Sequence, residues 1–182
     1  AKAAGVAVGS AFVAAGTAAV KFGSEFESAF AGASTLIDTT QTGMGQLQSQ
    51  ILELSDKTGI AAADLSNSMY NALSASVELG DNNANMMALL ESSSKLAKAG
   101  FTDIDTALTA TAKTMNAYGV SGEEAMSKIQ KVLIQTQNKG ITTVGELGSV
   151  LAQVTPTAAS FGVSFEQVGA ALANMTAQGT PT

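Results

Sequence analysis

The chain has 182 residues, 46% of them hydrophobic, with nine lysines, no arginine and fifteen acids, giving a net charge of −6. It contains neither cysteine nor histidine, which excludes disulfides, thiolate nucleophiles and imidazole-based acid–base or metal chemistry. The negative charge and the missing arginines argue against direct nucleic-acid binding, because phosphates require cations and guanine edges are best read by Arg.

Residues 3–20, AAGVAVGSAFVAAGTAAV, carry no charge and lie between Lys2 and Lys21. The length suits a bilayer span, but Ala and Gly dominate and the summed insertion energy is poor. Three readings stay open for the segment that holds Ala3, Gly5, Val8, Gly9, Phe12, Val13 and Val20: a buried or self-associating Ala/Gly helix, a conditionally inserting membrane segment, or a constitutive anchor. The Gly5-xxx-Gly9 spacing suits close helix–helix contact. Phe22, Phe26 and Phe30 then fall at four-residue spacing and predict one packed aromatic stripe. The pair Gly43 and Gly45 marks a break, which divides the chain into an Ala/Gly-rich apolar helical segment over 1–40 and a helical core region over 41–182. The chain opens Ala1-Lys2-Ala3, without an initiator Met, and reads as a piece of a longer polypeptide.

Beyond the break, glycines recur at a nearly fixed interval: Gly59, Gly80, Gly100, Gly119, Gly140, Gly162 and Gly179, separated by 21, 20, 19, 21, 22 and 17 residues. Most are followed by an apolar residue, then Ser or Thr, then Asp, Glu or Gln three positions on. Gly119-Val120-Ser121-Gly122-Glu123-Glu124 and Gly162-Val163-Ser164-Phe165-Glu166-Gln167 are the cleanest copies. Each predicts a left-handed glycine that closes one helix and a capping box that opens the next, Ser121 with Glu124 and Ser164 with Gln167. The intervening apolar residue is expected to staple onto the new first turn. Between the glycines run amphipathic stripes at the helical period. They are Leu47/Ile51/Leu54, Leu65/Met69/Leu73/Val77, Met86/Leu89/Leu90/Leu96, Ile104/Leu108/Met115, Ile129/Val132/Leu133, Val144/Leu147/Leu151/Val154 and Val168/Leu172/Met175. Pro156 is expected to end its helix, and Gly169, in mid-helix, to tolerate Ala. The fold class is therefore all-α: a compact bundle or short solenoid of about seven to nine short helices, preceded by the Ala/Gly-rich helix.

No catalytic constellation emerges. Asp81-Asn82-Asn83-Ala84-Asn85 begins like a calcium loop, but Met86 stands where a glycine is needed and Ser92 where a bidentate acid is needed. An Asx-rich helix start explains it better. Asp103, Asp105, Glu123 and Glu124 fall in first helical turns, where they complement the helix dipole. Lys128 and Lys131 read as a solvated face. The sequence predicts no enzyme, no cofactor and no metal site.

Several segments, in order, resemble the core region of phage tail tape measure proteins. These are Glu25-Phe26-Glu27-Ser28-Ala29-Phe30, Ser55-Asp56-Lys57-Thr58-Gly59, Met115-Asn116-Ala117-Tyr118-Gly119, Ile129-Gln130-Lys131-Val132-Leu133, Gly140-Ile141-Thr142-Thr143-Val144-Gly145-Glu146-Leu147 and Val154 through Ser164. The resemblance covers roughly residues 22–182. It implies a virion tail component that occupies the tube lumen, sets tail length, assists assembly and leaves with the DNA at ejection, with a role in host-membrane passage. Implied partners are other tail proteins (tail tube, tail tip and tail chaperones), with self-association and the host membrane as further candidates. A helical adaptor or chaperone-like binding module, and a membrane-active pore-former driven by residues 3–20, are the competing readings.

Overall fold

The computed structural model describes residues 23–37, 43–74 and 82–182. Among them are eight helices and no strand. Residues 23–34 form α1, followed by α2 (Met44–Thr58), α3 (Ala62–Ser74), α4 (Asn82–Ala99), α5 (Ile104–Tyr118), α6 (Gly122–Lys139), α7 (Val144–Ser160) and α8 (Phe165–Ala177). The N-terminal stretch 3–20, Phe22, Val77 and Gly80 lie outside the described residues.

The contacts give the architecture. From α2 onward each helix packs on the next but one: α2 on α4, α3 on α5, α4 on α6, α5 on α7 and α6 on α8. Neighbours in sequence also touch, so the even-numbered helices make one row and the odd-numbered helices a second row laid against it. This is a short stack of helix pairs, the arrangement expected when each pair cannot bury its own apolar face. Helix α5 sits at the centre and touches α3, α4, α6 and α7. Its sequence suits that place, since Ile104, Ala107, Leu108, Ala110, Thr111, Ala112, Thr114 and Met115 are all buried and small residues let several neighbours approach closely.

The amphipathic stripes form the core. Leu47, Ile51, Leu65, Met69, Leu89, Leu90, Leu108, Met115, Met126, Leu133, Val144 and Leu147 are all but inaccessible to solvent. Phe26, Phe30 and Ala33 of α1 belong to the same buried cluster, with the two rings tilted and 5.8 Å apart. The stripe weakens toward the C-terminus: Leu172 is only half-buried, and Val154 and Met175 are exposed.

Most buried hydroxyls are satisfied inside their own helices; that of Ser93 on α4, fully buried, has no partner. Thr58, Ser66, Ser94, Thr111, Thr114, Thr136, Thr155 and Thr176 each donate to the carbonyl four residues back. Such back-bonding removes the penalty of a buried polar group without requiring a partner on another helix.

Two expectations about α7 and its neighbours are corrected. Pro156 does not end α7, which continues to Ser160. The ring lies on the exposed side, and it withholds the donor that the Ala152 carbonyl would receive from an ordinary residue. Of the apolar residues that follow the turn glycines, Phe101 at 87% and Ile141 at 75% are too exposed to act as staples, Val120 and Val163 are partly exposed, and Ile60 packs against the core.

Candidate functional site

The residues chosen from sequence as punctuation are placed as follows. Gly59 and Gly119 close α2 and α5 in the left-handed conformation, at φ 68° and 60°. Gly162, just beyond α7, has φ 72°. Gly100 and Gly140 differ from the expectation. At the end of α4 the left-handed residue is Phe101, at φ 52°, with Thr102 N–H donating to the Ala97 carbonyl at 3.0 Å. Gly100 serves another purpose: a Cβ there would stand 2.6 Å from Val144 Cγ2, so the missing side chain lets α4 meet the start of α7. Gly140 is extended, at φ −103° and ψ −176°, and a Cβ there would lie 3.0 Å from Ala173 Cα of α8.

The caps divide in the same way. Ser164 with Gln167 forms a reciprocal capping box on α8, and Thr143 with Glu146 forms another on α7. Ser121 occupies the cap position of α6, but its hydroxyl makes no capping bond to the Glu124 turn. Gly122, the first residue of that helix, has φ 88°, which turns the opening peptide away from regular helical geometry. On α5 the cap is Asp103 rather than Thr102: its carboxylate accepts from the Thr106 amide at 2.8 Å and from the Thr106 hydroxyl at 2.8 Å. The signal was present in sequence, since Asp is itself a preferred cap.

The charged groups do structural work. Glu91 on α4 accepts from Lys57 of α2 and from Lys95 one turn on, both at 2.9 Å. The bond from Lys57, reinforced by Lys95, holds the Glu91 carboxyl below its ordinary range. Lys128 of α6 pairs with Glu166 of α8 at 2.6 Å and lowers the Glu166 carboxyl in turn. The backbone bond from Thr106 lowers Asp103. Burial, and then the charge of Glu166, raise the Tyr118 phenol, whose hydroxyl donates to the Val163 carbonyl at 3.1 Å. No group of three His, Cys, Asp or Glu that could hold a metal occurs among the described residues, and none of their helices is long and apolar enough to cross a membrane.

Two surface grooves stand out among the described residues. One, of about 620 Å³, lies between α1 and α3 and is the more polar of the two, with Glu25, Asp64, Asn67 and Tyr70 on its walls. The other, of about 420 Å³, lies between α7 and α8 at the end of the stack and is lined by Val150, Val154, Ala158, Val163, Leu172 and Met175. The sequence reading placed Val154, Leu172 and Met175 of these on core stripes and Val163 in a turn. The missed signal is charge: residues 147–182 contain one charged residue, Glu166.

The family model described as "Phage-related minor tail protein" matches residues 48–182. The chain is 53% identical over 152 residues to the "Probable tape measure protein" of Clostridium phage phiCD119, covering 84% of this chain and 16% of that protein. It is 23% identical over 158 residues to the "Tape measure protein" of Pneumococcus phage Dp-1, covering 87% of this chain and 13% of that one. The chain thus spans about a sixth or less of the curated relatives it matches. No solved structure matches. With the family model covering most of a chain whose helices and turns follow in the order described, the chain belongs to the phage-related minor tail protein family.

Proposed function

We propose that this chain is part of a tape measure protein: a structural, non-enzymatic component of a phage tail that acts in tail-length determination and assembly. The carrying observation is the match over residues 48–182 together with 53% identity to a tape measure protein across most of the chain. The absence of His and Cys from the whole sequence supports the non-catalytic part of the reading.

On this reading the protein is made in the host cytoplasm and taken into the tail-tube lumen with tail tube, tail tip and tail chaperone proteins as partners. It departs with the DNA at ejection. Its longest described helices have 18 residues, about 27 Å at the α-helical rise. A compact stack of this size is a poor ruler by itself, so the measuring length belongs to other parts of such a protein and this region serves as a folded station on it. Immunogold labelling of intact and ejected particles, with antibodies raised against the chain, tests the placement. Label on tails opened before ejection, and its loss from tails that have ejected, is expected; label on capsids alone contradicts the reading.

Membrane passage is a separate part of the proposal and rests on the uncharged residues 3–20. Liposomes should leak with the intact chain, and Val8→Asp or Val13→Asp should abolish leakage, because a charge at mid-bilayer costs about 2.5–3.5 kcal/mol. No leakage at any protein-to-lipid ratio would remove the membrane role from this segment.

A further inference from the structure

We propose that the even-numbered row carries a one-way relay: the last turn of each helix holds the end of the helix before it, so that loosening spreads from α8 toward α2 and not in reverse. Three hydrogen bonds make the series. Lys98, in the last turn of α4, donates to the carbonyl of Thr58, the last residue of α2. Gln137, in the last turn of α6, donates to the carbonyl of Ala99, the last residue of α4, at 3.3 Å. Thr176, in the last turn of α8, accepts from the amide of Ile141, just beyond α6, at 3.2 Å. Gln137 also accepts from the amide of Val144, the first residue of α7, at 2.8 Å.

The bonds join residues 40, 38 and 35 apart in sequence, about the length of one helix pair, so the device recurs with the stack. Gly140 belongs to it, because the Thr176 hydroxyl occupies the space that a Cβ on Gly140 would need. Helix ends leave backbone groups without partners in their own helix, and a side chain that answers one of them steadies that turn. In each bond the group held is backbone at the end of the earlier helix, and the group that holds it is a side chain of the later one. Fraying of α8 therefore frees the end of α6, where Gln137 sits. Loss of the Gln137 bond frees the end of α4, where Lys98 sits. Nothing is passed on in the other direction. When the end of α2 opens, Lys98 is already an exposed cation that water serves, and α4 keeps its own bond from Gln137. The Tyr118 bond to the Val163 carbonyl runs forward along the chain but ends in a turn, so it transmits nothing further.

Native-state hydrogen exchange of the 182-residue chain, read amide by amide by NMR, tests the relay through its local openings. Thr176→Val keeps the shape of the side chain and removes the acceptor. It should speed exchange at Ile141 and in the last turn of α6 by roughly three- to tenfold, the range for one lost hydrogen bond, and the last turn of α4 by a smaller factor. Thr176→Ser keeps the acceptor and should leave these rates unchanged. Lys98→Met should speed the last turn of α2 and leave α4, α6 and α8 as they are. Gln137→Met should loosen the last turn of α4 and the first turn of α7 without touching α8, and it carries the same test if Thr176→Val does not fold. An effect of Thr176→Val or Gln137→Met confined to its own helix would overturn the relay. So would an effect of Lys98→Met that reaches α6 or α8, or a uniform rise across all helices, which reports global stability alone. The tail reading stands apart from this result, because the immunogold experiment reports location.

Discussion

Gly162 and Gly169 lie seven residues apart and should answer substitution for different reasons. Gly162 has open space around a notional Cβ but a left-handed backbone, at φ 72°, so Gly162→Val should destabilise by about 1–2 kcal/mol through backbone strain. Gly169 is helical, yet a Cβ there would stand 2.6 Å from Val132 Cγ1 and 2.7 Å from Thr136 Oγ1. The helical period alone predicts tolerance of Ala at this position; the close contact between α6 and α8 reverses the sign, and Gly169→Ala should destabilise by about 1–3 kcal/mol. Gly148 is the control, since its Cβ would meet Ala110 at an ordinary 3.5 Å, and Gly148→Ala should be neutral or stabilising by up to about 1 kcal/mol. Thermal melts of the three variants separate the causes. The caps offer a parallel comparison: Ser164→Ala should cost about 1 kcal/mol, and Ser121→Ala less, because only Ser164 makes the capping bond. The pH dependence follows from Glu91, Asp103 and Glu166, each held below its ordinary value by hydrogen bonds. A depressed carboxylate contributes stability above its unfolded value, and that contribution is lost as pH falls through the folded value. Melting temperature should therefore fall below about pH 4, and only modestly, because these pairs are largely solvated. It should be level between about pH 5 and 8, where a chain without His or Cys has no side chain of ordinary pKa to titrate.

At the scale of the element, α7 carries the sharpest test. Pro156 lies inside it and withholds one backbone donor from the exposed side. Pro156→Ala should restore the bond to the Ala152 carbonyl and raise stability by about 1–3 kcal/mol, measured by chemical denaturation. An unchanged or lowered midpoint would mean that the ring is needed where it sits. The helices themselves were legible because each stripe, from Leu47-Ile51-Leu54 to Val168, recurs at the period that buries one face. Gly59 and Gly119 were legible as turns because a glycine between two such stripes has a local reason to be there. Gly100 and Gly140 look the same in sequence, but their reason is a helix 44 and 33 residues further on, Val144 for one and Ala173 for the other. Spacing cannot distinguish a glycine that bends the chain from one that admits a neighbour. The groove on α7 and α8 was hidden for a related cause. Val154 and Met175 continue amphipathic stripes, and a stripe does not say whether its facing partner lies within the same chain.

For the whole molecule, the boundary near residue 40 is open to a truncation series. Phe26, Phe30 and Ala33 contribute to the buried cluster. Removing residues 1–22 should leave a cooperatively melting protein. Removing 1–42 should lower stability sharply, since losing each buried Phe ring costs on the order of 3–5 kcal/mol. Equal melting curves for both truncations would place α1 outside the cooperative unit. The hydroxyls that bond within their own helices have a mechanical consequence. Because Thr111, Thr114, Thr136 and Thr155 each answer to a carbonyl on the same helix, separating the rows strands none of these polar groups. What resists separation is mainly apolar contact, which acts over short range and has no preferred direction. Axial tension should accordingly peel the stack pair by pair, and because helices of 13 to 18 residues owe most of their stability to packing, each should lose much of its helicity as it leaves its neighbours and regain it when the load is released.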